Sequence, residues 1–175
     1  MKRKSALAAF LIMTLCCPAL TSAEVMKEYY PNGKLMAEMS FSFWKLDGLS
    51  KTYYESGKLM TEMNYKGGVQ EGMTKEYYES GKIKSAFTYK NDKPDGINKR
   101  YYETGEVMEE ENWKDGAPQI KKVFFQTGKV KEAWDYHVTN PEDLANVKYY
   151  DEAGTLQKEQ AVKQKKKKAK KEGNK

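Results

Sequence analysis

The feature that most constrains this chain is a short motif that recurs six times along it. Four of the copies read "KEYYPNGKL", "KTYYESGKL", "KEYYESGKI" and "KRYYETGEV", and they start at residues 27, 51, 75 and 99. The aromatic pairs of all six copies begin at Tyr29, Tyr53, Tyr77, Tyr101, Phe124 and Tyr149, at spacings of 24, 24, 24, 23 and 25 residues. A nearly fixed period predicts a repeat architecture, and the copies span residues 24–157.

Each copy contains two short stretches in which apolar and polar residues alternate. In the second copy Leu59, Thr61, Met63 and Tyr65 alternate with Met60, Glu62 and Asn64. A period of two with aromatic and β-branched residues indicates β-strands. No sustained helical period runs through residues 24–157, and only 139–145 ("TNPEDLA") has the composition of a single helical turn. The expected fold class is therefore all-β.

The turn between the two strands predicts which residues share a face of the sheet. "PNG" at 31–33 suits a three-residue hairpin loop with glycine in the left-handed conformation, and the later copies have "ESG" or "ETG". Such a loop pairs Tyr53 with Leu59 and Lys51 with Thr61. Because a slip of one residue turns every side chain over, the register decides the faces. The predicted apolar face of this copy consists of Leu49, Tyr53, Leu59, Met63 and Tyr65.

The copies are joined by return segments such as "KLDG" and "KNDKPDG", which predict a continuous antiparallel meander of eleven or twelve strands. At roughly 4.8 Å per strand the sheet would be ~50 Å across, and open sheets of that size curl or twist. We expect an elongated, curved sheet of about six β-hairpins of ~24 residues each. The last copy has "DEAG" at 151–154, one residue more than the others, and is expected to cap the array.

The two ends of the chain differ from the repeats. Residues 1–23 combine a basic start, an apolar run and a small residue before the expected cleavage point, which is typical of a secretory signal peptide. An uncleaved anchor is disfavoured because the run is short for a membrane span and contains Pro18. Cleavage after Ala23 would remove Cys16 and Cys17, so the mature chain would lack thiol chemistry and disulfides. We expect an exported protein, periplasmic or secreted.

Residues 158–175 hold nine lysines and two glutamates, a net charge of +7, whereas residues 24–157 carry a net charge of −4. Such a run cannot bury apolar surface and is expected to be disordered. It either solubilises the chain or attracts anionic membrane or envelope polymer. Nucleic acid is not expected as a partner, because residues 24–157 lack a basic face. The lysines that would carry this attraction are Lys165, Lys166, Lys167, Lys168, Lys170 and Lys171.

The motif Gly-x-x-x-x-Tyr-Tyr-x-x-Gly-Lys-Leu, as at residues 72–83 and 96–107, resembles the variant MORN repeat of bacteria. The likeness covers residues 25–156. It implies β-hairpin repeats in an extended sheet. It also implies contacts with other proteins and, less directly, with lipids. Some family members are labelled antitoxin or immunity proteins, and the signal peptide of this chain favours an immunity protein outside the inner membrane over a cytoplasmic antitoxin.

We find no catalytic constellation in the sequence. The single histidine, His137, lies beside an aromatic strand, where a surface or packing role is typical. Glu38, Glu62 and Glu110 recur at equivalent positions of copies that lie about 9–10 Å apart, which repetition explains without catalysis. The aspartates of the return segments lack the ligand spacing of a calcium loop. We therefore expect neither enzymatic activity nor a cofactor or metal.

The second aromatic residue of each pair is the candidate partner-binding surface. In the predicted register these rings lie on the face opposite the apolar one, together with three methionines. A row of this kind is typical of a binding surface, and shielding of a thin sheet explains it equally well. The candidate residues are Tyr30, Tyr54, Tyr78, Tyr102, Phe125, Tyr150, Met36, Met60 and Met108.

Two functions follow as hypotheses. The first is a non-enzymatic scaffold or immunity-like binder that contacts another protein through its aromatic residues. The second is an envelope or carbohydrate-binding module, which is disfavoured because Trp44, Trp113 and Trp134 do not share one repeat position. Membrane attachment through the lysine tail could accompany either function. The exposed edges of the sheet also allow pairing between chains.

Overall fold

The computed structural model describes residues 24–136 and 144–163, and every regular element in these ranges is a β-strand. The strands are β1 (Glu24–Tyr29), β2 (Leu35–Ser42), β3 (Lys45–Leu46), β4 (Gly48–Tyr53), β5 (Leu59–Lys66), β6 (Val69–Gln70), β7 (Gly72–Tyr77), β8 (Ile83–Lys90), β9 (Lys93–Pro94), β10 (Gly96–Tyr101), β11 (Val107–Lys114), β12 (Ala117–Phe124), β13 (Val130–Tyr136), β14 (Leu144–Tyr150) and β15 (Leu156–Lys163).

All fifteen strands belong to one open, curved antiparallel sheet. Twelve longer strands follow one another in chain order from β1 to β15, and the two-residue strands β3, β6 and β9 pair only with the ends of β2, β5 and β8. Eleven spacings of about 4.8 Å make the sheet roughly 53 Å across. The predicted all-β meander of hairpin repeats is confirmed. Its two edges are β1 and β15.

The hairpin turns have the predicted three-residue loop. In the second copy the amide of Gly57 donates to the carbonyl oxygen of Tyr54 at 2.8 Å, and the amide of Tyr54 donates to Lys58 at 2.8 Å. Gly57 has φ of +90°, a conformation that favours glycine over any residue with a Cβ. The predicted pairing of Tyr53 with Leu59 is confirmed.

The predicted register beyond this pair is wrong, because every hairpin contains a β-bulge. After Tyr53–Leu59 the partner strand skips Met60, so that Lys51 pairs with Glu62 instead of Thr61. An extra residue in one strand moves all later side chains to the other face relative to the partner strand. Met63 therefore pairs with Ser50 and shares its face. The predicted apolar face, Leu49 with Tyr53, Leu59, Met63 and Tyr65, is divided between the two sides of the sheet.

The last copy also differs from its predicted alignment. Tyr150, not Tyr149, pairs with the first residue of the returning strand and so occupies the place of Tyr53, while Asp151 occupies the place of Tyr54. Strand β15 runs to Lys163, so residues 158–163, which the charge run assigned to the tail, belong to the sheet. The predicted helical turn at 139–145 overlaps β14 at its last two residues, and its first five lie outside the described residues.

The buried residues lie on one face of the sheet. This face carries Ser50 and Thr74 at the centres of their strands, with relative exposures of 3% and 8%. The register places the other buried side chains on the same face. Those residues are Ala37, Ser85, Asn98, Ala145 and Val147. Since one sheet has no second layer, its core is a thin strip of small side chains flanked by longer ones.

The return turns lie at the end of the strands opposite the hairpin loops. Successive return turns also stack on one another. The amide of Gly68 donates to the carbonyl of Leu46 at 2.8 Å, and the carboxylate of Asp47 accepts from the amide of Gly67 at 3.1 Å. The same carboxylate-to-amide contact recurs one repeat later, from Asn91 to Glu71 at 2.9 Å. These acidic residues therefore join successive loops.

Candidate functional site

The second aromatic residues of the pairs form a row at the hairpin-loop ends of the strands. Their hydroxyls link successive repeats. Tyr54 donates to the carbonyl oxygen of Tyr77 at 2.6 Å, and Tyr78 donates to that of Tyr101 at 2.7 Å. Tyr30 and Tyr102 make the same bond to Tyr53 and Phe124, at 2.6 and 2.9 Å. All four rings are half-buried. The row therefore holds repeats together, and binding of a partner by its rings stays a prediction.

Phe125 and Tyr150 depart from this pattern. Phe125 has no hydroxyl to donate, and the ammonium of Lys131 lies 5.9 Å from its ring centre. Tyr150 ends strand β14 and pairs with Leu156, at the position of a first aromatic residue. The predicted row of six thus contains four residues in equivalent hydrogen bonds and two in different environments.

The three predicted methionines, Met36, Met60 and Met108, are the extra residues of their β-bulges. Met60 and Tyr54 line one hollow of about 350 Å³ together with Lys84, which is the bulge residue of the next repeat. The structure thus brings two members of the predicted set together. The charged side chain of Lys84 interrupts the methionine row.

The first tyrosines lie on a charged face of the sheet, not on the predicted apolar one. The hydroxyl of Tyr53 donates to Glu38 at 2.9 Å, and that of Tyr77 donates to Glu62 at 2.8 Å. Burial of the ring and, to a smaller extent, this hydrogen bond raise the pKa of Tyr77 to about 12. The ammonium of Lys27, with the Tyr53 hydroxyl, lowers the pKa of Glu38. Glu38 and Glu62, which repetition explains without catalysis, accept hydrogen bonds from neighbouring side chains.

These glutamates belong to a line of residues that crosses the sheet strand by strand, which we call the charged ladder. Lysine and glutamate alternate along it, with Lys27–Glu38 at 3.0 Å and Lys99–Glu110 at 3.1 Å. Three of its glutamates recur at equivalent positions in the sequence, but their alternation with lysine across strands depends on the bulged register. In spatial order the ladder is Lys27, Glu38, Lys51, Glu62, Lys75, Ala86, Lys99, Glu110, Lys122, Ala133, Lys148 and Glu159.

The opposite side, which we call the aromatic face, is the side that contains the buried strip. Trp134 stacks on Tyr136 with their ring centres 6.2 Å apart, and its indole N–H donates to Glu132 at 3.0 Å. All of its large rings are half-buried, so each keeps part of its surface accessible. The register assigns to this face Phe41, Tyr65, Tyr89, Trp113 and Tyr136 in one row, and Met39, Met63, Phe87 and Trp134 in the next.

A group of charges interrupts the second row of the aromatic face. Glu109 accepts hydrogen bonds from both Arg100 and Lys121, and Lys121 also lies 3.6 Å from Glu111. The guanidinium of Arg100 lies 5.0 Å from the ring centre of Phe87. Burial alone would lower the pKa of Lys121, but its contacts with the two glutamates raise it. Its charge is therefore retained, and the group ties three strands together.

The most exposed aromatic side chains lie in the first return turn. Phe43 and Trp44 are 73% and 83% exposed, and both have positive φ, 48° and 65°. The equivalent turns of the next three repeats hold Gly67–Gly68, Asn91–Asp92 and Asp115–Gly116, also with positive φ. This conformation costs bulky L-residues free energy that glycine or asparagine avoids. The signal is present in the sequence, because an alignment of the return segments places Phe43 and Trp44 where the next three repeats have glycine, asparagine or aspartate.

Several predicted features lie outside the described residues, namely residues 1–23, His137 and the lysines of the tail. Within 24–136 and 144–163, no three His, Cys, Asp or Glu residues are grouped as metal ligands would be. No helix in these same ranges has the length and apolar character needed to cross a membrane.

Comparison with protein families agrees with the geometry. The MORN repeat variant family matches four segments, residues 25–42, 46–66, 70–91 and 94–115. Each segment contains the loop and the second strand of one hairpin, together with most or all of its first strand. Among curated proteins, none matches the chain.

Proposed function

We propose, from the MORN-variant repeats of residues 25–115 and the rings of the aromatic face, that this chain is an exported, non-enzymatic scaffold that binds another protein. Export is supported by the signal-like residues 1–23. An immunity-like or antitoxin-like role is the narrower form of this proposal. In that form the bound partner would be a toxin.

The turn formed by Phe43 and Trp44 is the observation that carries the proposal. Two adjacent aromatic side chains are 73% and 83% exposed, and their backbone has positive φ, which is unfavourable for bulky residues. Strained backbone of this kind persists at sites where function requires it. Tryptophan and phenylalanine are enriched in the centres of protein interfaces, where their large apolar surface is desolvated.

The surface next to this turn has the composition that a protein partner would need. Phe41 precedes the turn by two residues and starts the first row of the aromatic face, which continues through Tyr65 and Tyr89. Successive rings of this row are two strands apart, about 10 Å. The turn and the row together offer aromatic contacts over most of the width of the sheet.

The proposal can be tested by crosslinked capture from the cell envelope, with the natural chain and the double variant Phe43→Asn, Trp44→Gly as baits. We expect one protein to be captured by the natural chain and lost with the variant. Asn91→Gly is the matched control, because it changes the equivalent position of a turn that carries no aromatic residue. Equal capture by all three baits would refute a role for this turn.

A second arm of the same experiment addresses the envelope-binding alternative. Purified envelope polysaccharide is offered to the natural chain and to the variant. If the polysaccharide retains the natural chain but not the variant, the ligand of this turn is a carbohydrate and not a protein. Retention that disappears in high salt would instead indicate attraction through the lysine tail.

A further inference from the structure

The charged ladder is interrupted at Ala86 and at Ala133, where the alternation would place a glutamate. Each inner glutamate of the ladder faces a lysine on both neighbouring strands. Glu110, for example, pairs with Lys99 on one side and Lys122 on the other. Ala133 is flanked in the same way, by Lys122 and Lys148. Its methyl group leaves Lys122 and Lys148 without the carboxylate that lies between two lysines at Glu38, Glu62 and Glu110.

The space left by the missing side chain is open on both sides of Ala133. A pocket of about 200 Å³ is lined by Ile120 and Lys148. A second pocket of about 560 Å³ is lined by Lys122, Lys129 and Tyr150. Ala133 lines both of them. The two pockets meet at Ala133, and we call them together the depression at Ala133.

The charges around this depression are predominantly positive. Within residues 24–136 and 144–163, Lys122 has no carboxylate within 4 Å, and Lys148 reaches only Glu159, at 3.8 Å. Lys129 is exposed at the rim. Asp135 lines the smaller pocket and is engaged in an interaction of its own. A carboxylate above Ala133 would lie about 5 Å from each flanking strand, within reach of both ammonium groups.

The apolar surroundings add a second requirement. Ile120 is 45% exposed on the same face of the sheet, and Tyr150 lies at the other side of the depression. A ligand that places a carboxylate at Ala133 therefore also contacts an aliphatic and an aromatic side chain. An acidic residue two positions from an aliphatic one, on an extended peptide, presents both side chains on one face and satisfies both requirements. A free inorganic anion satisfies only the first.

We infer that the depression at Ala133 binds the carboxylate side chain of an acidic, extended segment of a partner protein, which takes the place of the ladder's missing glutamate. This site lies on the opposite face from the rings proposed above to bind a protein. The inference is independent of that proposal, because either surface can act without the other.

Amide chemical shifts of the full chain, titrated with the peptide acetyl-Thr-Glu-Thr-Ile-Thr-amide, test the inference. We expect the shifts of Lys122, Ala133, Lys148 and Tyr150 to move together. The same peptide with glutamine in place of glutamate should bind roughly tenfold more weakly, as expected for loss of charge-assisted hydrogen bonds. Absence of any shift at millimolar peptide, or equal binding of both peptides, would overturn the inference.

The variant Ala133→Glu provides the decisive control, because it supplies the missing carboxylate from the chain itself. Four ladder positions already accept glutamate, so the variant is expected to fold, which its amide spectrum verifies. It should abolish peptide binding. Ala86→Glu fills the corresponding gap between Lys75 and Lys99, and should leave binding at Ala133 unchanged. Peptide binding that survives Ala133→Glu contradicts the assignment.

Propionate distinguishes a peptide segment from a small carboxylate as the occupant. It carries the single carboxylate of the glutamate side chain without the aliphatic neighbour. We expect it to shift the same amides with clearly lower affinity than the peptide. Equal affinity would mean that Ile120 and Tyr150 contribute nothing, and would overturn the assignment of a protein segment.

Discussion

Replacing the first return turn should make this protein more stable. The double variant Phe43→Asn, Trp44→Gly introduces the dipeptide that two-residue hairpin turns with positive φ prefer. Phe43 and Trp44 have φ of 48° and 65° and are 73% and 83% exposed. The substitution therefore relieves backbone strain and removes little buried apolar surface.

The magnitude follows from the conformation of the two residues. A left-handed backbone costs an ordinary L-residue about 1–2 kcal/mol, and asparagine and glycine pay less or none of this. The glycine at position 44 gives back about 0.5–1 kcal/mol through the greater freedom of the unfolded chain. We expect a net gain of about 1–2 kcal/mol in the free energy of unfolding, or roughly 3–6 °C in Tm.

Urea denaturation and thermal unfolding followed by far-UV circular dichroism measure this gain, since tryptophan fluorescence would change with the loss of Trp44. The converse variant, Asn91→Phe, places an aromatic residue at the equivalent exposed turn position and should lower Tm. An unchanged or lower Tm for the double variant would refute the reasoning. It would mean that the aromatic side chains make contacts that offset the strain.

Three further predictions concern the hairpin edge and the charged face. Tyr54→Phe removes the hydroxyl that donates to the Tyr77 carbonyl at 2.6 Å, and should cost about 0.5–1.5 kcal/mol in urea denaturation. Gly57→Ala, at φ of +90° with nothing within 4 Å of the added Cβ, should cost about 1–2 kcal/mol of purely conformational origin, and unchanged stability would contradict the left-handed turn. The pKa of Tyr77 is raised from 10 to about 12, so the folded state holds the phenolic proton more tightly. This stabilisation is present below pH 10 and is lost as pH rises through 12, and an alkaline denaturation curve that Tyr77→Phe leaves unchanged would disprove it.

Local patterns in the sequence were sufficient to predict the repeat, the strands and the hairpin turn. The glycine at each turn identifies a three-residue loop, since the loop requires one left-handed residue. The spacing of the aromatic pairs gives the number of hairpins in the described part of the chain. These features depend on contacts within one copy or between adjacent copies, which a periodic sequence records directly.

The assignment of faces could not be predicted in this way. The bulge at Met60 adds one residue to one strand only, and no residue type at that position identifies it, since other copies have Lys84 or Lys131 there. As a result Met63 and Tyr65 were placed on the wrong side. The alternation of lysine and glutamate across strands was missed for the same reason.

The sequence alone determined that this chain forms about six antiparallel hairpins in one sheet, because the pattern of each copy requires neighbours to bury its apolar residues. Only the tertiary structure decided which residues share a surface. The aromatic face, the charged ladder and its gap at Ala133 all depend on the register between strands. One bulged residue shifts that register and moves the later side chains of its strand to the other face of the sheet.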